Sequence, residues 1–393
     1  MRSIRVLVVD DSVVIRKVLC AALAGDPAIE VVGTAADGRI ALAKLAQLKP
    51  DLVTLDVEMP GLSGLETIPE IRKLYPKLPI VMFSTLTERG ASSTLDALSL
   101  GASDYVTKPS NSGSLELTIE KIRRDLLPKI KALSGRVAMP EKLPPPPSPV
   151  TKNGLAVMIP HANLPLAPLV ASVAASPAAM LPRHSGPIDI LAIGASTGGP
   201  NALADVLSAI PRDFPVPIVI VQHMPPLFTR TLAERLGKKS VIHVCEGRPG
   251  IKLHAGEAWI APGDYHMTVR RHGREVTLAM NQGPAENSCR PAVDVLFRSV
   301  AEVFGASTLA VVLTGMGSDG VAGCEAVRRR GGRVFVQDEA SSVVWGMPGQ
   351  VAAAGWADAI YPLRAMAAEV DRSIRASRSF SMDTGGLVPS KTG

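Results

Sequence analysis

Short apolar runs alternate with helix-like stretches along roughly the first 130 residues. Runs rich in β-branched residues over 4–9, 29–34, 52–55, 80–83 and 104–106 predict five strands separated by amphipathic helices. Five such βα units demand a mainly parallel, doubly wound sheet with right-handed crossovers, whose chemistry collects at the carboxyl ends of the strands. Beyond this unit the pattern lapses. From about 140 to 187 Pro, Ala, Ser and Val dominate, Pro144-Pro145-Pro146-Pro147 among them, and neither period is sustained. This predicts a flexible linker, set at 131–187, in which a coil of about 47 residues spans roughly 40 Å. Its uncharged part, 153–182, has the length of a membrane span, but Pro160, Pro165, Pro168, Pro177 and Pro182 would break a spanning helix repeatedly.

Alternation resumes at 188, predicting a second α/β domain over 188–376. Strands are expected over 188–193, 218–222, 308–313 and 333–336, with helices opening near Pro200 and Pro226 and covering 292–303 and 321–330. In its middle, 259–261, 267–270 and 276–280 look like strands joined by short turns around Gly263 and Gly273. The small polar residues of 377–393 predict a disordered tail.

Composition narrows the classes. A chain of 393 residues with 46% apolar and 20% charged residues can bury more than one core. Its net charge of +6 is small for this length and no dense Lys/Arg block or helix-turn-helix appears, so no nucleic-acid partner is expected. Cys20, Cys245, Cys289 and Cys324 lack metal-type spacing and read as ordinary thiols of an intracellular protein. The amino terminus enters its first strand without a secretory signal pattern, so a cytoplasmic location is expected.

Candidate chemistry falls at predicted strand ends. Asp10 and Asp11 follow the first strand and Asp56 the third, bringing three carboxylates to one sheet edge. Mg²⁺ is the natural cation for them, because it takes oxygen ligands and pairs with phosphate. A carboxylate here can also accept a phosphoryl group, with Ser84 and Lys108 placed to hydrogen-bond and neutralise its oxygens. The phrases Val8-Val9-Asp10-Asp11-Ser12, Leu55-Asp56-Val57-Glu58-Met59-Pro60-Gly61 and Tyr105-Val106-Thr107-Lys108-Pro109 resemble the receiver domain of bacterial response regulators over 1–130. The resemblance implies that Asp56 takes phosphate from a histidine kinase, that Asp10 and Asp11 help hold Mg²⁺, and that Ser84 and Tyr105 form the switch.

Gly194-Ala195-Ser196-Thr197-Gly198-Gly199-Pro200 follows an apolar strand and opens a helix. It fits the G-x-S-x-G elbow that exposes a nucleophilic serine, and equally a loop that cradles phosphate. His223 ends the next strand, and Asp319 lies in a glycine-rich turn after a later one. Three strand ends delivering Ser, His and Asp favour acyl transfer, although an aspartate at a helix start is most simply an N-cap. Their chain order differs from the Ser…Asp…His order of α/β-hydrolases.

That order, with Gln222-His223-Met224-Pro225, Ile260-Ala261-Pro262-Gly263-Asp264, Arg290-Pro291-Ala292-Val293-Asp294-Val295-Leu296-Phe297, Thr314-Gly315-Met316-Gly317-Ser318-Asp319-Gly320 and Gly346-Met347-Pro348, resembles the CheB methylesterase catalytic domain. The implied fold is a five-stranded parallel receiver followed by an α/β methylesterase domain with a predominantly parallel sheet. The implied reaction is hydrolysis of glutamate γ-methyl esters, and deamidation of selected glutamines, on chemoreceptors. The esterase chemistry needs no cofactor, and the chain meets the membrane only through receptors. Ser196 is then the nucleophile, His223 the general base and Asp319 its orienting partner, with backbone N–H groups near Thr197 and Met316 as oxyanion-hole candidates. The resemblance also implies that the unphosphorylated receiver covers the active site. A receiver joined to a nucleotide-binding module, and a transcription regulator, are the alternatives; tight nucleotide binding or salt-sensitive DNA binding would mark them.

Overall fold

The structure, a computed structural model, describes residues 2–109, 114–135 and 186–383. Five parallel strands form the first sheet: β1 (Ile4–Val9), β2 (Ile29–Ala35), β3 (Leu52–Asp56), β4 (Ile80–Ser84) and β5 (Asp104–Thr107). Their spatial order, β2-β1-β3-β4-β5, makes the sheet doubly wound, so the loops after β1 and β3 meet at one edge. Helices α1 (Val13–Leu23), α2 (Gly38–Leu48), α3 (Gly64–Leu74), α4 (Glu88–Ser99) and α5 (Leu115–Leu133) provide the crossovers. Polar caps set where they start: Ser12, Asp37, Ser63, Thr87 and Ser114 each accept a backbone N–H of the first turn.

The second domain holds seven parallel strands in the order β14-β13-β12-β6-β7-β9-β8. These are β6 (Ile190–Ala195), β7 (Ile218–Gln222), β8 (His243–Glu246), β9 (Glu257–Ile260), β12 (Thr308–Val312), β13 (Arg333–Gln337) and β14 (Ala359–Tyr361). An antiparallel hairpin, β10 (His266–His272) with β11 (Glu275–Asn281), stands apart from them. Helices α6 (Gly199–Ser208), α7 (Phe228–Lys239), α8 (Val293–Phe304), α9 (Val321–Arg329), α10 (Met347–Ala353) and α11 (Leu363–Asp383) cover the sheet. Strands β6 and β12 are buried along their whole length, which is why they read as unbroken apolar runs.

Three expectations change. The segment near Trp259 does not join the hairpin but enters the main sheet as β9, parallel to β7 and β8, because its chain arrives from β8 by a crossover. Helix α5 continues to Leu133, and α11 to Asp383, past the start expected for the tail. Ser377 is buried there and accepts the Ile188 N–H at 3.0 Å, which anchors the last helix beside the first strand of its domain. Residues 136–185 of the expected linker and 384–393 of the tail lie outside the described residues. One apolar cluster runs from Leu7 and Ala97 of the first domain to Ala202 and Phe228 of the second, so the two domains share a core face. Among the described residues no helix is long and apolar enough to cross a membrane.

Candidate functional site

Strand β6 lies between β12 and β7, and this order assembles the second domain's polar edge. Ser196 leaves β6 beside Gly315, where a Cβ would stand 2.9 Å from the Ser196 Cβ and 2.3 Å from Met347 Sδ. Glycine at 315 is therefore what lets the two strand ends close together. The turn after Ser196 passes through Gly198 at φ 78°, a conformation other side chains resist, and α6 starts there. The N–H groups of Thr197 and Met316 have no hydrogen-bond partner among the described residues, leaving two donors beside the serine.

His223 Nε2 is 2.8 Å from Asp319 Oδ2. Asp319 is buried, and its carboxylate also accepts the Val293 N–H at 2.7 Å and the Asp294 N–H at 3.0 Å, the first amides of α8. The aspartate is thus a helix cap, but of α8 rather than of α9, which follows it. Asp294 reciprocates by accepting the Gly320 and Gly323 N–H groups at the start of α9. Burial opposes ionisation of both partners. The hydrogen bond between them outweighs it, together with Cys289 Sγ at 3.5 Å from His223 Nδ1 and the α8 amides on Asp319, holding His223 above and Asp319 below their ordinary pKa values. The pair therefore favours the charged form in this conformation, and the Ser196 hydroxyl makes no hydrogen bond among the described residues. His266, by contrast, is spent on the fold, bonding Pro284 O and the Ala292 N–H.

At the first domain's edge the oxygens of Asp10, Asp11 and Asp56 approach within 4.8 Å of one another. Lys108 Nζ sits 2.8 Å from Asp56 and 3.0 Å from Asp10. Burial raises the Asp56 pKa to about 6 against the opposing pull of Lys108. Burial works against the Lys108 charge, but Asp56 and Asp10 hold its pKa above the ordinary value. Asp10 Oδ2 is buried and, although near Lys108, receives no well-directed hydrogen bond. An all-oxygen donor set with one such atom fits a hard divalent cation. Ser84 is buried with its hydroxyl on Gly90 O at 3.2 Å.

The two edges are joined. Tyr105 stacks on Phe228 of α7 with centroids 4.8 Å apart and planes 5° from parallel. Its neighbour Asp104 takes the Thr197 hydroxyl at 2.6 Å and Lys129 Nζ at 2.8 Å. Arg230 pairs with Glu88, Arg235 pairs with Asp96, and Asn201 donates to Leu98 O. The α4–β5–α5 face of the first domain thus roofs the Ser196 edge, leaving a cavity of about 510 Å³ between Leu133 and Gly135 on one side and Met316, Ser318 and Trp345 on the other.

The family model for the receiver domain of response regulators matches residues 6–120, and that for the CheB methylesterase matches 191–370. A protein-glutamate methylesterase/protein-glutamine glutaminase of Trichodesmium erythraeum is 50% identical over 374 residues, spanning 95% of this chain and 100% of the relative. The chain belongs to this CheB family. A relative of the same name from a Nocardioides species is 48% identical over 98% of this chain and 100% of its own length. The solved catalytic domain of Thermotoga maritima CheB methylesterase is 39% identical, covering 48% of this chain and 100% of that one, with a TM-score of 0.47.

Within this CheB chain the residues singled out from sequence fall into two groups, Asp10, Asp11, Asp56, Ser84 and Lys108 at one edge, and Ser196, Thr197, His223, Met316 and Asp319 at the other. Tyr105 belongs to the contact between them. Sequence reasoning missed Asp104, Phe228, Asn287 and Asp294. Asp294 was within reach, since an acidic residue opening an apolar helix signals capping; Phe228 carried no polar signal at all.

Proposed function

We propose that the chain hydrolyses glutamate γ-methyl esters, and deamidates selected glutamines, on chemoreceptors, using Ser196, His223 and Asp319 under control of phosphorylation at Asp56. What carries this reading is the His223–Asp319 pair at 2.8 Å on the strand end next to Ser196. Ser196 Oγ attacks the side-chain carbonyl as His223 takes its proton. Collapse of the tetrahedral intermediate expels methanol or ammonia, which leaves with the proton from His223. Water, deprotonated by His223, then cleaves the acyl-serine to glutamate and restores the hydroxyl. The free N–H groups of Thr197 and Met316 are suited to the oxyanion.

With Nε2 on Asp319 and Nδ1 facing Cys289 Sγ, neither ring nitrogen of His223 is open to the Ser196 proton, so the roofed site is a resting arrangement. Phosphorylation answers this. Asp56 receives the phosphoryl group from a histidine kinase, Lys108 and Ser84 engage its new oxygens, and Tyr105, two strands away, transmits the change to Phe228. Asp10, Asp11 and Asp56 would hold Mg²⁺, which neutralises charge between carboxylate and incoming phosphate. No step of ester hydrolysis needs a cofactor. The protein would work in the cytoplasm and meet the membrane through its receptors alone, with no nucleic-acid partner.

Methanol release from methylated receptors, with a phosphodonor present, tests the assignment. Ser196→Ala and His223→Ala should each lower it about 10⁴-fold with the fold intact. Near-normal release by folded Ser196→Ala would exclude the serine as nucleophile.

A further inference from the structure

Asn287 lies between two buried carboxylates. Its amide nitrogen is 3.0 Å from Asp319 Oδ1 and 3.0 Å from Asp294 Oδ2, so one carboxamide donates to both. Each carboxylate already holds the start of the other's helix: Asp319 takes the first amides of α8, and Asp294 takes Gly320 and Gly323. Two negative groups in contact repel unless donors separate them, and Asn287 supplies the only side-chain donor shared by both among the described residues. The charged and titratable groups around the pair are His223 and Cys289 on one side, Arg298 on α8 and Cys324 on α9. Arg298 is engaged by Glu286, and Cys324 is a buried thiol, so neither replaces the carboxamide.

The backbone at this point is as particular as the side chain. Asn287 has φ 51° and Ser288 φ 62°, consecutive left-handed residues that turn the amide inward although the residue is exposed. Asparagine is among the few side chains that accept this conformation.

We infer that Asn287 is a positioning residue for the hydrolysis, bridging Asp294 and Asp319 so that Asp319 stays ionised and aimed at His223. The inference rests on the Ser196–His223–Asp319 reading above. It separates from a purely structural role through two substitutions. Glycine tolerates the left-handed backbone and deletes the donor; aspartate also tolerates it, keeps the shape, and puts a third carboxylate where the donor was. If residue 287 serves only the turn, Asn287→Asp is the milder change. If it bridges the carboxylates, Asn287→Asp is the worse.

The experiment is the pH profile of kcat/KM for methanol release by the full chain with phosphodonor, comparing wild type, Asn287→Gly and Asn287→Asp, with Ser196→Ala alongside. Asn287→Gly should lose about tenfold, and Asn287→Asp at least about tenfold more. The acid limb, which reports the His223–Asp319 pair as a unit, should move to higher pH in both, and further in Asn287→Asp, because loss of a donor or gain of a carboxylate favours the protonated pair. The low-field proton of the His223–Asp319 hydrogen bond, read by NMR on the same samples, should shift in both variants, and this holds even where turnover is too slow to measure. Asn287→Asp as active as Asn287→Gly, with an unmoved acid limb, overturns the inference while a dead Ser196→Ala leaves the triad standing. An active Ser196→Ala takes down both.

Discussion

Asp319 carries two duties that a substitution cannot separate. Its carboxylate orients His223 and also caps α8 through the Val293 and Asp294 amides. Asp319→Ala should therefore reduce turnover and also lower stability by about 2 kcal/mol, visible as a reduced urea midpoint, whereas Ser196→Ala should lower only turnover. At the other edge Asp56 has its pKa raised to about 6 by burial. A raised carboxyl pKa stabilises the fold below the ordinary value of 3.8, and that contribution is lost as pH rises through about 6. Without magnesium the thermal midpoint of the full chain should fall between about pH 4 and about pH 6, and Asp56→Asn should flatten part of that fall. A pH slope identical in wild type and Asp56→Asn would show that Asp56 ionises freely. From sequence the carboxylate cluster was legible because its members follow the first and third apolar runs, which a doubly wound sheet sets side by side. The capping role of Asp319 was legible only in kind, since the helix it caps begins 26 residues earlier in the chain.

Elements bring these residues together through strand order, which periodicity alone does not give. The apolar runs identified β6, β7 and β12, but their adjacency follows from the parallel pairing of β6 with both neighbours. Strand β9 illustrates the limit. The short apolar run 259–261 before a hairpin looks like a third hairpin strand, and only the crossover from β8 places it in the parallel sheet. Close approach of the strand ends also depends on Gly315, whose added Cβ would meet Met347 and Ser196. Gly315→Ala should displace Ser196 and cost about 10²-fold in kcat/KM with little change in stability. Unchanged kinetics in that variant would mean the turn relaxes without moving the serine.

At the scale of the whole molecule the chain is a receiver laid over a hydrolase edge, held by Tyr105 on Phe228, by Asp104 on Thr197 and by two ion pairs of α7, Arg230–Glu88 exposed and Arg235–Asp96 half-buried. The domains themselves were legible as two runs of alternating elements. Their contact was not, because docking surfaces are drawn from helix faces and loops that carry no period of their own. The exposed Arg230–Glu88 pair contributes little, so the stacked rings, the buried Asp104–Thr197 bond and the half-buried Arg235–Asp96 pair carry the contact. Asp104 is the more direct tie, since it touches Thr197, the residue after Ser196. The most direct measurement is methanol release from methylated receptors by the full chain, with and without a small phosphodonor, in wild type, Asp56→Asn and Asp104→Ala. Phosphodonor should raise the rate in wild type, Asp56→Asn should stay low and unresponsive, and Asp104→Ala should already be raised without phosphodonor. A wild-type rate indifferent to phosphodonor, together with an Asp104→Ala rate no higher than wild type, would contradict control by the receiver.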